Sequence, residues 1–305
     1  MTSNKNNIVK LIVITGPTAA GKTSLAVKLA NNINGEIISA DSRQIYRDMD
    51  LGTGKDLDEY IIDNKKINYH LIDIINPEEN YSVYRFQKDF LKSYKQIKAN
   101  KKIPIVCGGT GLYIESILLD YDLSDKPPPN IKIRDELSQY DKDKLMMILS
   151  SIASVDKMEK MILITKKQII RNIEIIKTNK SNQNQNQNQK FIPLNDNSLV
   201  ICLKMDTQQL RKKIKIRLIN RINNGMIDEV EDLLKNGLKM SRLDYFGLEY
   251  KFIGMYIRDE INKNQLIDNL STAIRRFAKR QRTWFRRMER RGVKINWIDY
   301  NDYKS

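Results

Sequence analysis

Residues 16–23 read GPTAAGKT, which matches the phosphate-binding pattern G-x-x-x-x-G-K-T at every required position. An apolar segment, residues 12–14, precedes the motif, and a helix-like segment, residues 24–30, follows it. Glycine at both fixed positions permits backbone geometries that turn successive amides toward phosphate oxygens. The helix amino terminus adds partial positive charge, the lysine an ammonium and the threonine a hydroxyl that can ligate Mg²⁺. We therefore predict a di- or triphosphate site formed by Gly16, Pro17, Thr18, Ala19, Ala20, Gly21, Lys22 and Thr23.

A carboxylate follows the second predicted strand, residues 36–40, at the start of the segment DSRQIYRDMDLGTGK, residues 41–55. In a parallel sheet this places Asp41 at the carboxyl edge, beside the phosphate motif. A carboxylate there can hold Mg²⁺, orient a nucleophile or accept its proton, although a strand-end aspartate is more often a cap or turn residue. Arg43, Gln44 and Tyr46 add hydrogen-bond donors and one stacking ring that suit nucleic acid.

The strand predicted at residues 103–107 lacks a terminal acid and ends instead in Gly108 and Gly109. Hydrolytic phosphate-loop enzymes usually hold their metal with an aspartate at such a position. Asp73 is a weak substitute. The pattern therefore favours a diphosphate held as a leaving group over a nucleotide to be hydrolysed.

Positive charge is the second strong signal, because 53 Lys and Arg residues against 37 Asp and Glu residues give a formal charge of +16. Biased base composition explains part of the lysine excess, but not the arginines that cluster late in the chain. A helix predicted over residues 265–291 and another over 208–224 are strongly basic on their polar faces. Such surfaces indicate a cleft that follows a nucleic-acid backbone.

Composition excludes several other classes of protein. In 305 residues with 41% hydrophobic content, no apolar run approaches the length of a membrane span, and no secretory signal precedes the first strand. Cys107 and Cys202 lie in apolar, strand-like runs, which predicts reduced core thiols and a cytoplasmic protein. His70 is the only histidine, which argues against a histidine zinc site or a histidine acid–base pair.

The order of predicted elements indicates an α/β fold, with a parallel-sheet core built around the phosphate loop, helices on both faces and a mainly helical insertion. Strands are predicted at residues 9–15, 36–40, 68–74, 103–107, 198–204 and 293–297. The core comprises residues 1–120 and 197–305, and the insertion comprises residues 121–196. Within the insertion, the Asn/Gln tract at 181–190 cannot bury apolar area, which predicts a disordered loop.

At these residues the sequence closely resembles the tRNA dimethylallyltransferases, also called tRNA isopentenyltransferases. The resemblance spans nearly the whole chain and rests on GPTAAGKT at 16–23, DSRQIYRDMDLGTGK at 41–55, VCGGTGLY at 106–113 and RRFAKRQRTWFRR at 275–287. It implies transfer of a dimethylallyl group from dimethylallyl diphosphate to N6 of the adenine 3′ of the tRNA anticodon. It also implies a channel that the diphosphate enters from one side and a flipped adenine from the other.

The resemblance assigns roles to residues that match the family's motifs. Asp41 matches the base that takes a proton from the adenine amine, and Lys22 and Thr23 match residues that hold the diphosphate and Mg²⁺. The positions expected to face the tRNA anticodon stem-loop, together with the basic residues of the late helix, are Asp41, Ser42, Arg43, Gln44, Thr110, Gln168, Arg171, Arg275, Arg276 and Lys279. We expect a monomer that does not bind membranes.

One position departs from the family pattern. Glu249 stands where relatives commonly carry an Arg or Lys that contacts the diphosphate, with Arg242 and Lys251 as neighbouring substitutes. Two alternatives share part of the motif set: an adenylate isopentenyltransferase acting on free AMP, ADP or ATP, and a phosphate-loop nucleotide kinase or NTPase. The basic late helix argues against the first, and the missing strand-end acid and the DSRQIY segment argue against the second.

Overall fold

The computed structural model describes residues 9–119, 121, 130–159, 161, 163, 165–181 and 193–304. The chain divides into two compact units, the first formed by residues 1–121 and 192–305 and the second by residues 122–191. The predicted disordered tract at 181–190 lies outside the described residues, except for Ser181, which ends a helix. Along the described ranges, no helix combines the length and apolarity that crossing a bilayer requires.

The first unit is an α/β core around a six-stranded sheet in the order β5-β2-β6-β1-β7-β8, in which every neighbouring pair is parallel. A separate antiparallel hairpin, β3–β4, follows a short 3₁₀ turn at Leu57–Tyr60. The strands are β1 Leu11–Thr15, β2 Gly35–Ser39, β3 Ile61–Ile62, β4 Lys65–Lys66, β5 Tyr69–His70, β6 Ile103–Cys107, β7 Ser198–Lys204 and β8 Ile295–Asp299. The predicted α/β class is confirmed.

The helices at Lys22–Asn32 and Val83–Ala99 pack their buried side chains against β2 and β6, and some helix ends follow local capping signals. Ser82 begins α2 by accepting a hydrogen bond from the Arg85 amide, as its sequence position predicts. Asn262 and Gln265 form a capping box at the start of α12. The helices of this unit are α1 Lys22–Asn32, α2 Val83–Ala99, α3 Gly111–Leu118, α8 Thr207–Asn223, α9 Met226–Lys235, α10 Leu243–Phe246, α11 Leu248–Ile257, α12 Lys263–Arg290 and α13 Tyr300–Lys304.

The second unit is helical, as predicted. Its helices are α4 Ile131–Ser138, α5 Lys142–Ile152, α6 Val155–Glu159 and α7 Lys166–Ser181. Leu145, Leu149 and Ile169 are fully buried in a small core of their own where α5 packs against α7. Glu174 is also fully buried and pairs with the guanidinium groups of Arg134 and Arg171.

One predicted strand is wrong in extent. The segment at residues 68–74 forms only the two-residue β5, because Leu71 and Asp73 adopt positive φ angles of 62° and 56°. A left-handed residue turns the chain out of the extended conformation, so pairing with β2 ends at His70. The remaining predicted strands agree with the structure to within two residues at each end.

Candidate active site

The phosphate motif has the conformation that an anion site requires. The loop between β1 and α1 takes positive φ at Gly16 (144°), Ala19 (62°) and Gly21 (82°), which turns the backbone around a concave centre. A Cβ on Gly16 would lie 2.7 Å from the Leu203 carbonyl oxygen, so only glycine fits there. Gly21 occupies the N-cap position of α1, and no capping side chain competes for the first amides of the helix. These amides and the helix dipole favour a bound phosphate.

Lys22 brings a cation into this concavity. Burial lowers the pKa of its ammonium group, and its Nζ donates to the Pro17 carbonyl oxygen at 2.8 Å. The ammonium therefore lies against the phosphate loop, at the edge of the space that a bound anion would occupy. Lys22 and Thr23 both line a cavity of about 1090 Å³ that opens beside the motif. A charge that is partly screened from solvent by protein acts on a ligand more strongly than one in bulk water.

Asp41 lines the same cavity from the end of β2. Its Oδ1 accepts a hydrogen bond from the Arg43 amide at 2.9 Å, so the residue also forms the turn that its position at a strand end suggested. The neighbouring Ser42 amide donates to Thr110 Oγ1 at 3.0 Å, and the Thr110 amide donates to the Ala40 carbonyl at 3.1 Å. These bonds fix the carboxylate at the carboxyl edge of the sheet, in the wall of the cavity.

The tips of β2 and β6 approach each other closely at this edge. A Cβ on Gly108 would lie 2.3 Å from the Ala40 carbonyl oxygen, so only glycine fits directly after β6. This close approach explains why β6 is followed by glycine rather than by an acidic residue. Thr15 Oγ1 also donates to the Gly108 carbonyl at 2.9 Å. The glycines thus let the phosphate loop, Asp41 and Thr110 converge on one cavity.

Arg43 and Gln44 continue the Asp41 segment along the cavity wall. Gln44 Nε2 donates to the Gly54 carbonyl at 3.0 Å, and Gln44 Oε1 accepts from Ser39 Oγ at 2.9 Å. The Arg43 guanidinium lies 5.2 Å from the centre of the Tyr245 ring, within cation–π distance. All of the residues predicted in the segment 41–44 therefore lie in the wall of the cavity.

Two arginines from α8 form a cationic wall that the sequence did not assign to this site. Arg217 and Arg221 both pair with Asp56, and the Arg221–Asp56 distance is 3.1 Å. Burial acts to raise the pKa of Asp56, but the two guanidinium groups outweigh it and lower that pKa. Arg217 Nη1 also lies 3.5 Å from Thr18 Oγ1 in the phosphate loop. Glu59 and Glu249 also line the cavity, but its lining still contains seven Lys and Arg residues against four Asp and Glu residues.

Arg217 and Arg221 also act electrostatically on Glu249, the residue that departs from the family pattern. The glutamate lines the cavity, burial raises the pKa of its carboxyl group, and Arg221 and Arg217 partly counter that effect. Arg242, one of the two neighbours considered as substitutes, instead donates to Asn80 Oδ1 at 2.7 Å and is not part of the cavity lining. Lys251 is likewise not part of that lining.

Gln281 is another residue of this site that the sequence does not assign to it, because its three- and four-residue spacing from Phe277 and Trp284 indicates only one side of the predicted late helix. Its Oε1 accepts from the Thr18 amide of the phosphate loop at 2.9 Å, and its Nε2 donates to the Gly109 carbonyl at 2.9 Å. The side chain is 6% exposed. One amide group of α12 therefore ties the phosphate loop to the turn after β6. A buried polar residue in an otherwise apolar helix stripe is the signal that could have found it.

The basic residues predicted on the late helix do not form one surface, and two of them, Arg287 and Arg291, pair with the buried Glu115 at 2.7 and 2.5 Å. Arg280 lines the main cavity together with Gln281. A separate groove between α8 and α12 contains the three residues predicted to bind tRNA, with two further arginines: Arg275, Arg276, Lys279, Arg211 and Arg282. This groove has no acid among its lining residues, so its charge suits a polyanion. The tRNA contacts predicted for Arg275, Arg276 and Lys279 stay a prediction.

Gln168 and Arg171 lie in the second unit. Gln168 Oε1 accepts from the Thr165 amide at 2.8 Å at the start of α7, and Arg171 pairs with the buried Glu174 at 3.0 Å. Both side chains therefore have structural partners within their own unit. Their predicted role toward tRNA stays a prediction.

The protein offers few ligands for a metal at this site. Among the residues that the structure describes, no three or more His, Cys, Asp or Glu side chains form a metal-binding group. Asp73 is an ion-pair partner of the buried Lys55 and is not part of the cavity lining. Thr23 does line the cavity. This donor set fits a Mg²⁺ ion that is held mainly by phosphate oxygens and water, as Mg²⁺ at phosphate sites usually is.

The cysteines carry no chemistry here. Cys107 and Cys202 are buried free thiols, as expected from their strand positions. Burial raises the pKa of each to about 12, so both stay protonated and are poor nucleophiles at neutral pH.

Comparison with known proteins identifies the family. The model of the IPP transferase family matches residues 44–288. The tRNA dimethylallyltransferase 1 of Azobacteroides pseudotrichonymphae genomovar. CFP2 is 47% identical over 294 residues, which cover 95% of this chain and 93% of that protein. The chain belongs to the IPP transferase family.

Other members of the IPP transferase family agree in sequence and in fold. The tRNA dimethylallyltransferase 1 of Parabacteroides distasonis is 47% identical over 290 residues, covering 95% of this chain and 92% of that protein. The crystal structure of the tRNA isopentenylpyrophosphate transferase from Bacillus halodurans superposes with a TM-score of 0.66 at 32% identity, covering 96% of this chain and 90% of that one. The resemblance drawn from the sequence motifs is confirmed.

Proposed function

We propose that this protein transfers a dimethylallyl group from dimethylallyl diphosphate to N6 of the adenine 3′ of the anticodon in tRNA, with release of diphosphate. One observation carries the proposal: the phosphate loop and the Asp41 carboxylate open on the same cavity. The loop suits an anionic leaving group, and the carboxylate suits a group that must lose a proton. The names of the related proteins support both substrates.

The donor's diphosphate binds in the loop, where the amides at the start of α1 donate hydrogen bonds to its oxygens and the Lys22 ammonium balances its negative charge. Arg217, which lies 3.5 Å from Thr18 Oγ1, adds a cation from α8. As the bond between the allylic carbon and the diphosphate oxygen breaks, negative charge builds up on the leaving group. Donors already fixed around that position stabilise this charge without having to reorient.

Mg²⁺ is the cofactor that this site is expected to use. Thr23 and the diphosphate oxygens would hold the ion, and it would supply further stabilisation of the leaving group. The low number of protein ligands is consistent with an ion that arrives with the diphosphate rather than one that is bound permanently.

The adenine amine is a poor nucleophile, so alignment with the allylic carbon provides much of the rate enhancement. The new bond forms between N6 and that carbon, and one proton of the amine passes to the Asp41 carboxylate. Extruding the base from its stack costs a few kcal/mol and is easier in an anticodon loop than in a duplex. The allylic cation would react with water, so the bound substrates must exclude water from the cavity during transfer.

Positive charge outside the cavity supports a tRNA substrate over a free nucleotide. The groove formed by α8 and α12 presents arginine and lysine side chains that do not line the main cavity, so a substrate held in the cavity alone would not use them. Phosphate contacts of this kind position an RNA without reading its bases. The buried free thiols also support a reducing, cytoplasmic location, and we expect the active form to be a monomer.

Labelled dimethylallyl diphosphate tests the proposal directly. The protein is incubated with the donor and Mg²⁺ together with tRNA, with AMP, or with an anticodon stem-loop in which guanine replaces the target adenine. We expect label in tRNA only. Label in AMP at a comparable rate would support the adenylate isopentenyltransferase alternative, and label in neither acceptor would contradict the proposal.

A further inference from the structure

The cavity wall between Asp41 and the α8 arginines is a loop without regular secondary structure. Its residues Leu51, Gly52, Thr53 and Gly54 all line the cavity. Within the loop, the amides of Gly54 and Lys55 donate to the Asp50 carbonyl at 2.9 and 3.1 Å. Thr53 Oγ1 adds a local bond to the Met49 carbonyl, and Gln44 Nε2 holds the Gly54 carbonyl at 3.0 Å. None of these bonds fixes the amides of residues 50–52, so the position of that part of the loop depends on contacts from elsewhere in the chain.

Glu229, in the first turn of α9, supplies those contacts. Its Oε2 accepts from the amides of Asp50 at 2.7 Å and Leu51 at 2.6 Å, and its Oε1 accepts from the Gly52 amide at 3.0 Å. The Tyr250 hydroxyl donates to Oε1 at 2.7 Å. Successive amides that converge on one carboxylate form charge-assisted hydrogen bonds, which are about twice as strong as neutral ones.

The fit around this carboxylate leaves little freedom. A Cβ on Gly52 would lie 2.5 Å from the Tyr250 ring, so the loop backbone rests directly on that ring. Gly54 has a φ of 68°, and a Cβ there would lie 2.0 Å from Arg221 Nη2. The loop and the Arg221 guanidinium are therefore in contact, and a shift of one displaces the other.

The contact continues from Arg221 to the phosphate loop. Arg221 shares Asp56 with Arg217, and Arg217 Nη1 lies 3.5 Å from Thr18 Oγ1. From these contacts we infer that Glu229 is a positioning residue for the transfer reaction: it fixes the loop 50–54 so that the two α8 arginines face the diphosphate site. The inference rests on the proposed function, because the ligand at that site is a diphosphate.

A second anchor allows the inference to be tested without unfolding the protein. Lys55 is fully buried, and its Nζ donates to the Tyr46 carbonyl at 2.8 Å and to Asp50 Oδ1 at 2.6 Å. It holds one end of the loop independently of Glu229. Removing the negative charge of Glu229 should therefore release the middle of the loop and leave the surrounding core in place.

The test compares Glu229→Gln with Glu231→Gln, a matched control on the same helix that is not an acceptor for these amides. Isothermal titration with inorganic diphosphate and Mg²⁺ measures the affinity of the phosphate site, and melting temperature reports folding. Transfer kinetics with both substrates give KM and kcat separately. Tyr250→Phe, which removes only the hydroxyl donor to Glu229, is a milder second variant.

We expect Glu229→Gln to weaken diphosphate binding and raise the KM for the donor about tenfold, because small misplacements of charged groups cost one to two orders of magnitude. The KM for tRNA should change much less. Tyr250→Phe should also weaken diphosphate binding and raise the KM for the donor, but by a smaller factor. Glu231→Gln should match the wild type in all of these constants. Unchanged diphosphate affinity in a folded Glu229→Gln protein would overturn the inference. If that variant does not fold, wild-type affinity in Tyr250→Phe would overturn it. Failure of the wild type to bind diphosphate or to transfer label would instead contradict the proposed function.

Discussion

Replacing Gln281 with leucine removes the side chain that links α12 to the phosphate loop. The substitution keeps the approximate volume, so its effect comes from the two lost hydrogen bonds, to the Thr18 amide and the Gly109 carbonyl, each at 2.9 Å. An unpaired buried polar group costs about 1–3 kcal/mol. The Gly109 bond is buried, whereas Thr18 borders the cavity, where water can replace its partner. We therefore expect the free energy of unfolding to fall by about 1–3 kcal/mol, the cost of the one group that stays unpaired.

Urea unfolding and diphosphate titration measure the two consequences. The Gln281→Leu protein should unfold at lower urea and should also bind diphosphate more weakly, because the Thr18 end of the phosphate loop loses its support. Gln209→Leu, at an exposed position on α8, is the matched control and should stay within about 0.5 kcal/mol of the wild type. If Gln281→Leu were as stable as this control and bound diphosphate equally well, the two Gln281 hydrogen bonds would not be what positions the phosphate loop.

Two further predictions concern charge. Burial acts to raise the pKa of Glu36, but hydrogen bonds from Lys102 and two other side chains lower it from 4.5 to about 2. This contribution to stability is present above pH 4.5 and is lost as the pH falls toward 2. Glu36→Gln should therefore lower the free energy of unfolding at pH 7 by roughly 1–3 kcal/mol and make that free energy less dependent on pH below 4.5. The same pH dependence in the variant and the wild type would contradict the role of Glu36. Replacing Arg276 and Lys279 with Glu should weaken tRNA binding and make the slope of log binding constant against log salt concentration shallower by about 0.7 per lost phosphate contact. Replacing Lys92 and Lys95 on α2 with Glu is the control and should leave that slope unchanged. Equal slopes in the two variants would show that the groove does not contact tRNA.

Local signals in the sequence were sufficient for the parts of the site that one segment defines. The phosphate loop could be predicted because its glycines, lysine and flanking elements are adjacent in the chain. Asp41 could be placed because the carboxyl ends of parallel strands meet at one edge. The strand at 68–74 was overextended because left-handed φ angles at Leu71 and Asp73 leave no trace in hydropathy.

The residues that the sequence missed act across long separations. Gln281 lies 263 residues from its partner Thr18, and Glu229 lies 177 to 179 residues from the amides that it binds. Periodicity assigned Gln281 to a helix face but could not show which loop that face would meet. The α8 arginines were read as nucleic-acid contacts because charge alone does not distinguish an outer groove from a cavity wall. Only the packing of α8 against the phosphate loop makes that distinction.

The Asp41→Asn variant tests the central claim most directly, because it removes the proton acceptor and preserves the size of the side chain and the acceptor for the Arg43 amide. Single-turnover transfer of label to tRNA is measured with saturating donor, alongside diphosphate titration. We predict that transfer slows by about 10²–10⁴-fold while diphosphate affinity stays at the wild-type value. Transfer at the wild-type rate would contradict the account.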